Sequence, residues 1–234
     1  MNAVLFVAVP YLSVAVAVLG AIVRYRTDRF SYSTQSSQFL DSRVLFWGSN
    51  AWHYGILLVL GAHVAATAAP GAWSRLLGGT TRLYVLEVTG YGLAFLAGFG
   101  LLLLIGRRLT SRRIAAVTSK GDALLLAALL VQVGTGAYLA LAYRFGGAWY
   151  PHVAAPWLRS LFTLHPKVDA IAAMPWPVKL HAVTAWSLFV LFPYTRLVHV
   201  VTYPLSYLWR PYQVVIWNRR GAQRPATRRE RVPA

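Results

Sequence analysis

The chain has 234 residues, of which 57% are hydrophobic and only 12% are charged, a composition more apolar than that of ordinary soluble domains. The charged residues lie in short runs between long apolar stretches, which predicts a helical membrane protein and not a transmembrane barrel of short alternating segments. The net charge of +17 is concentrated at the ends of the apolar stretches, so we predict no nucleic-acid partner. The sequence has no cysteine, which excludes disulfides, c-type haem attachment and cysteine-ligated iron–sulfur clusters within it.

Five apolar segments are each long enough, at about 20 residues, to cross a bilayer as a helix. They cover approximately residues 3–23, 48–69, 86–106, 122–143 and 178–203. The first has no basic n-region and no evident cleavage site, so we interpret it as a retained span and not as a signal peptide. We therefore predict an all-α integral membrane protein, a five-transmembrane-helix bundle over residues 1–210, followed by a basic cytoplasmic tail over residues 211–234.

Lysine and arginine are unevenly distributed among the connections. The connections after the first and third spans and the tail after the fifth contain sixteen basic residues, whereas the other two connections contain six even when Lys179, at the start of the fifth span, is counted with them. Because cytoplasmic loops are enriched in Lys and Arg, we predict that the N-terminus lies outside and the C-terminus in the cytoplasm. The connection 144–178 is rich in Trp, Pro and Gly, and we expect its aromatic side chains at the outer membrane surface.

The third and fourth spans are rich in glycine, which has two interpretations. Small residues permit close helix packing in lipid, and a flat macrocycle also requires neighbouring backbones without side chains. Both interpretations stay open at this point. The glycines are Gly90, Gly92, Gly98, Gly100, Gly134 and Gly136.

Four of the six histidines lie in predicted spans, His53 and His63 in the second and His181 and His199 in the fifth. Ionisable side chains at membrane depth are costly and are therefore functional candidates. In a straight helix His181 and His199 would share one face about 27 Å apart, whereas His53 and His63 would be about 15 Å and about 80° apart. Because the two spans run in opposite directions, His53 is expected at the depth of His199, and His63 at the depth of His181.

Haem is the group that two such pairs favour. Haem iron accepts axial histidines, and two of them leave no position for a substrate, so a haem of this kind transfers electrons. Zinc or copper would require further ligands, and no carboxylate or thiol accompanies the pairs. A proton relay, a pH sensor or a histidine-gated transporter are the alternatives. A transporter would need a polar path, and Gln132 is the only strongly polar uncharged side chain deep in the fourth span.

Two further residues of the fifth span bear on this hypothesis. The unequal histidine spacings require helix tilt or a bend at Pro193. Arg196 lies three residues before His199, near the same face. It is a candidate partner for a haem propionate, and the alternative is an arginine that extends to the cytoplasmic surface.

The segments NAWHYGILLVLGAHV and KLHAVTAWSLFVLFPYTRLVHVVTYPLSYLWRPYQ resemble the gamma subunit of membrane-bound respiratory nitrate reductase, over approximately residues 1–215. The resemblance implies a five-span dihaem cytochrome b in the cytoplasmic (inner) membrane of a bacterium or archaeon. It implies two haem b groups, the outer one ligated by His63 and His181 and the inner one by His53 and His199. It also implies anaerobic respiration in which quinol is oxidised near the outer face and electrons pass to a cytoplasmic iron–sulfur subunit. A molybdenum catalytic subunit would then reduce nitrate.

The quinol site that the family implies is less well defined in this sequence. The family's pocket can include a basic residue at the start of the third span, and the nearest candidate is Arg82. Glu87 would accept a quinol proton or pair with Arg82. An equivalent quinone-linked cytochrome b subunit of another respiratory complex, linked to sulfur or heterodisulfide metabolism, is the alternative that histidine placement does not exclude.

Overall fold

The computed structural model describes residues 1–28 and 43–201. The predicted basic tail, 211–234, and the last residues of the fifth predicted span lie outside this part. All regular elements in the described ranges are helical. In chain order the helices are α1 (Val9–Thr27, preceded by a π-helical turn at Val4–Ala8), α2 (Arg43–Ala68), α3 (Pro70–Leu76), α4 (Thr80–Thr110), α5 (Arg112–Ala116), α6 (Lys120–Ala142), α7 (Gly146–Phe162), α8 (Asp169–Ala173) and α9 (Trp176–Leu191).

Four helical segments of the described chain are long and apolar enough to cross a membrane. They are Val4–Thr27, Val44–Ala68, Thr80–Thr110 and Lys120–Ala142. These correspond to the first four predicted spans, with ends that differ by a few residues. The all-helical, membrane-spanning class is therefore confirmed for these four segments.

The fifth predicted span, 178–203, is not one continuous helix. Helix α9 ends at Leu191, and 3₁₀ turns follow at Phe192–Tyr194 and Arg196–Val198. Pro193 causes the interruption, because proline has no N–H and its ring clashes with the carbonyl four residues earlier. The assumption of a straight helix between the two histidines of this span therefore does not hold, and the bend expected at Pro193 is present.

The interruption at Pro193 is stabilised by contacts with α1 and within the turn. Arg24 of α1 donates a hydrogen bond to the Pro193 carbonyl, and Thr195 Oγ1 donates to the Leu191 carbonyl at 2.8 Å. Gly20 of α1 makes room for the proline, because a Cβ at Gly20 would lie 2.8 Å from Pro193 Cγ. The carbonyls that lose their helical hydrogen bonds at this interruption therefore accept hydrogen bonds from side chains, as a low-dielectric environment requires.

Helices α2 and α4 approach each other closely at two glycines. A Cβ at Gly100 would lie 2.3 Å from the main-chain nitrogen of Trp52, and a Cβ at Gly55 would lie 2.7 Å from that of Ala97. Close helix packing is therefore the explanation for Gly100. It does not explain three of the other predicted glycines, where a Cβ would meet nothing within 4 Å. These are Gly90, Gly92 and Gly134.

Helix α7 covers the end of the bundle at which α1 and α9 begin and α2 and α6 end, which we call the α7 end. Trp157 of α7 is 2% exposed, its indole N–H donates to the Phe6 carbonyl at 2.9 Å, and its ring meets that of Phe6 edge to face. Trp157 therefore packs inside the bundle, and the position of the aromatic residues of 144–178 relative to the membrane surface stays a prediction. Trp176, by contrast, is 71% exposed.

Candidate functional site

His53 and His199 lie side by side, at the end of the bundle opposite to α7. Their ring centroids are 5.8 Å apart and their planes are nearly perpendicular. The Nδ1 of His53 donates to the Ser49 carbonyl at 2.7 Å, and the Nδ1 of His199 donates to the Arg196 carbonyl at 2.6 Å. Because a carbonyl only accepts, each proton is on Nδ1, and each Nε2 presents a lone pair.

Arg196 connects His199 to the start of α6. Its Nε donates to Asp122 Oδ1 at 2.8 Å. Asp122 also forms a capping box with Ser119 at the N-terminus of α6, where it accepts from the Ser119 N–H and its own N–H donates to Ser119 Oγ. The Arg196 side chain thus anchors the turn whose carbonyl orients His199. Its pairing with a haem propionate stays a prediction.

His63 lies at the α7 end, exposed on α2. Its Nδ1 donates to the Val59 carbonyl at 2.8 Å. Its ring meets the Tyr150 ring of α7 edge to face, with centroids 5.2 Å apart. The Tyr150 hydroxyl lies 2.7 Å from Thr67 Oγ1, and burial raises the pKa of this phenol above its ordinary value. Tyr150 was not predicted from the sequence, where its only signal is its place in an aromatic-rich connection.

His181 lies in α9 and packs against α6. A Cβ at Gly136 would lie 3.0 Å from His181 Cε1, so glycine permits this close approach. The Thr135 hydroxyl donates to the Val131 carbonyl and therefore accepts from His181 Nδ1 at 3.0 Å. The Nε2 of His181 lies 3.2 Å from the amide nitrogen of Gln132. The polar side chain that sequence analysis noted deep in the fourth span is thus a histidine partner.

The chemistry of these donors fits axial ligation of haem iron. In all four imidazoles Nδ1 is engaged by an oxygen acceptor, so Nε2 is the nitrogen suited to a metal. At His181 the Gln132 amide must withdraw before Nε2 can bind iron. His63 contacts Tyr150 of α7 and His181 contacts side chains of α6, and the pairing of these two histidines with each other stays a prediction. In the described ranges, no three His, Cys, Asp or Glu side chains group closely enough to hold a metal ion.

The two candidate quinol residues, Arg82 and Glu87, do not pair with each other. Arg82 is exposed in the first turn of α4, with its guanidinium over Gly79. Glu87 is only 9% exposed and accepts hydrogen bonds from the Tyr91 hydroxyl at 2.6 Å and the Phe145 N–H at 2.8 Å. The expected alternative of a Glu87–Arg82 ion pair is therefore wrong.

The helical spans and the similarity to known proteins define the class and the family. A chain with several helices able to cross a membrane is a multi-pass membrane protein. Residues 2–218 match the family model of the nitrate reductase gamma subunit. The chain is 34% identical over 221 residues to the nitrate reductase gamma chain of Bacillus subtilis strain 168, covering 93% of this chain and 98% of that one. The chain belongs to the nitrate reductase gamma subunit family, which confirms the resemblance.

Two further relatives show how much of each protein is shared. The respiratory nitrate reductase 1 gamma chain of Escherichia coli strain K12 is 30% identical over 225 residues, which cover 92% of this chain and 97% of that one. The nitrate reductase-like protein NarX of Mycobacterium tuberculosis strain H37Rv is 33% identical over 219 residues, which cover 91% of this chain. The chain spans about a third of the length of NarX, and nearly the full length of the gamma chains.

Proposed function

We propose that the chain is the quinol-oxidising, electron-transferring membrane subunit of a nitrate reductase complex and that it holds two haem b groups. The observation that carries the proposal is the contact of His53 with His199, each with Nδ1 engaged and Nε2 presented. Membership of the nitrate reductase gamma subunit family supports it. Bound haem b would supply one-electron transfer at each pair of histidines.

In this proposal the chain crosses the cytoplasmic membrane of a bacterium or archaeon five times. The 16 residues of α9 extend about 24 Å, and two 3₁₀ turns of three residues each add about 12 Å. Placed end to end, these segments would extend at most about 36 Å, which leaves room for the bend within the roughly 30 Å of a bilayer's hydrocarbon core. The excess of basic residues in three connections supports an outer α7 end, an outer N-terminus and a cytoplasmic C-terminus.

The four histidines would hold the two haem groups at different depths. His53 and His199 form the inner pair, whose geometry depends on the Ser49 and Arg196 carbonyls. His63 and His181 form the outer pair. Because each Nδ1–H donates to an oxygen acceptor, each ring keeps one tautomer and its Nε2 is directed away from that acceptor.

Quinol oxidation is proposed at the α7 end, close to the outer pair. Arg82 is exposed there and stays the candidate for binding the quinol. Glu87 is the weaker candidate for accepting a proton, because it is buried and already accepts two hydrogen bonds. The iron–sulfur and molybdenum subunits would dock at the opposite, cytoplasmic end, and membrane lipid would surround the spans.

Haem quantification of the purified complex tests this proposal. The reduced-minus-oxidised spectrum should show two b-type haems per chain, and His53→Ala and His63→Ala should each remove one. His165→Ala is the matched control, because this exposed histidine lies in the connection between α7 and α8 and should leave both haems in place. A wild-type complex without haem, or histidine variants that retain two haems, would contradict the proposal.

A further inference from the structure

The start of α7 is held in one position by α3 and α4. Phe145, just before the helix, has a left-handed backbone with φ of 60°, and its N–H donates to buried Glu87 of α4 at 2.8 Å. The Gly147 carbonyl accepts from the Trp73 indole of α3 at 3.1 Å. A Cβ at Gly147 would lie 2.8 Å from Leu86 Cδ2, so the first turn of α7 lies directly against α4. The N-terminal part of α7 is therefore placed by three independent contacts.

Tyr150 extends from this part of α7 to α2. The Thr67 hydroxyl donates its one proton to the His63 carbonyl at 2.8 Å. The hydrogen bond of 2.7 Å between Thr67 Oγ1 and the Tyr150 hydroxyl must then be donated by tyrosine. The Tyr150 ring also meets the His63 imidazole edge to face. Tyr150 is thus attached to α2 one turn after His63 and packs against the His63 ring itself.

We propose that Tyr150 is a positioning residue for His63, one that holds the plane of this imidazole in the orientation needed for haem ligation. The role in haem ligation rests on the proposed function, whereas the placement of Tyr150 against His63 rests on the contacts described above. The hydrogen bond to the Val59 carbonyl fixes Nδ1 but permits the ring to tilt about that bond. His181 is held by Thr135 and Gln132 on α6, whereas exposed His63 has the Tyr150 ring as its ring contact from another helix.

Two variants separate the tyrosine ring from its hydroxyl. Tyr150→Leu removes the ring, and Tyr150→Phe retains it. In the purified complex, electron paramagnetic resonance resolves the ferric signals of the two haems, and the His63→Ala variant identifies the outer one. We expect Tyr150→Leu to shift the signal of the outer haem and to lower the affinity for that haem about 10- to 100-fold. Loss of a residue that supports a metal ligand typically has an effect of this size. The inner signal should not move, and it serves as the internal control for folding.

The controls distinguish a positioning role from a general effect. Tyr150→Phe should leave the outer signal close to that of the wild type, because the ring contact is kept. Tyr138→Leu changes a tyrosine that is 51% exposed on α6 and whose ring neighbour is Tyr143, so it should move neither signal. An outer signal and outer-haem affinity that are unchanged in Tyr150→Leu would overturn the inference.

A measurement on the haem-free chain separates failure of this inference from failure of the proposed function. Nuclear magnetic resonance of ¹⁵N-histidine, with His63 assigned by His63→Gln, reports the tautomer and exchange of that ring. We expect the Nδ1–H tautomer in both chains, because the Val59 carbonyl fixes it, and exchange broadening of the His63 ring signals only in Tyr150→Leu, where the ring can tilt about that hydrogen bond. If the wild type binds no haem but Tyr150→Leu shows this added broadening, only the proposed function fails. If both chains give the same His63 signals, the positioning role is wrong.

Discussion

Gly100→Ala tests whether the approach of α4 to α2 determines the geometry of the inner pair. The added Cβ would lie 2.3 Å from Trp52 N and 2.8 Å from Trp52 Cα, whereas ordinary van der Waals contact begins at 3.4 Å. The difference requires the helices to separate by about 1 Å, because main-chain atoms cannot rotate away. Overpacking of this kind costs about 1–3 kcal/mol, which reduces the folded-to-unfolded ratio roughly 5- to 150-fold. Trp52 directly precedes His53, so we also expect a loss of inner haem.

Gly90→Ala is the matched control on the same helix. A Cβ at Gly90 would meet nothing within 4 Å, and alanine favours a helix by about 1 kcal/mol over glycine. Thermal unfolding in detergent, followed by circular dichroism, should show a lower midpoint for Gly100→Ala only. The haem spectrum of the same samples should show that the outer haem is retained better than the inner one. If Gly100→Ala has the stability and the haem content of Gly90→Ala, the packing argument is refuted.

Two further variants test the polar contacts around the histidines. Gln132→Leu removes the amide that lies against His181 Nε2, a contact worth about 0.5–1.5 kcal/mol. Titration of the haem-free chain with haem should therefore show up to about tenfold tighter binding at the outer site. An unchanged affinity would mean that the amide does not compete with haem iron for Nε2. Asp122→Ala removes the N3 half of the α6 capping box and the partner of Arg196, and it should lower the free energy of unfolding by about 1–2 kcal/mol. Asp169→Ala is the control, at an exposed position in the first turn of α8, and it should change the free energy of unfolding by less than about 0.5 kcal/mol. Equal effects of the two variants would contradict the stabilising role assigned to Asp122.

The sequence predicted the first four spans and the common depth of His53 and His199 better than the side-chain contacts around the histidines. Apolar length alone identifies the first four spans, because a bilayer sets one length for every crossing helix. The opposite directions of two spans predict that His53 and His199 lie at one depth, and the structure brings them into contact. The partners of polar side chains were not predictable in this way. Asp122 and Arg196 are 74 residues apart in sequence, and Tyr150 is 83 residues from Thr67. Such contacts depend on which helices are neighbours, and periodicity contains no information about that.

The interruption after α9 explains why the unequal spacings of the histidines in α2 and in the fifth span do not conflict with the proposal of two histidine pairs. The helix ends at Leu191, so the position of His199 does not follow from the helical repeat that begins at His181. It follows instead from contacts with other helices, because Arg24 of α1 binds the Pro193 carbonyl and Asp122 of α6 binds the side chain of Arg196. Because contacts with α1 and α6 determine the depth of His199, this histidine can meet His53 although the two helical spacings differ. The strain expected of two rigid helices with different spacings therefore does not arise, since one of the two is interrupted between its histidines.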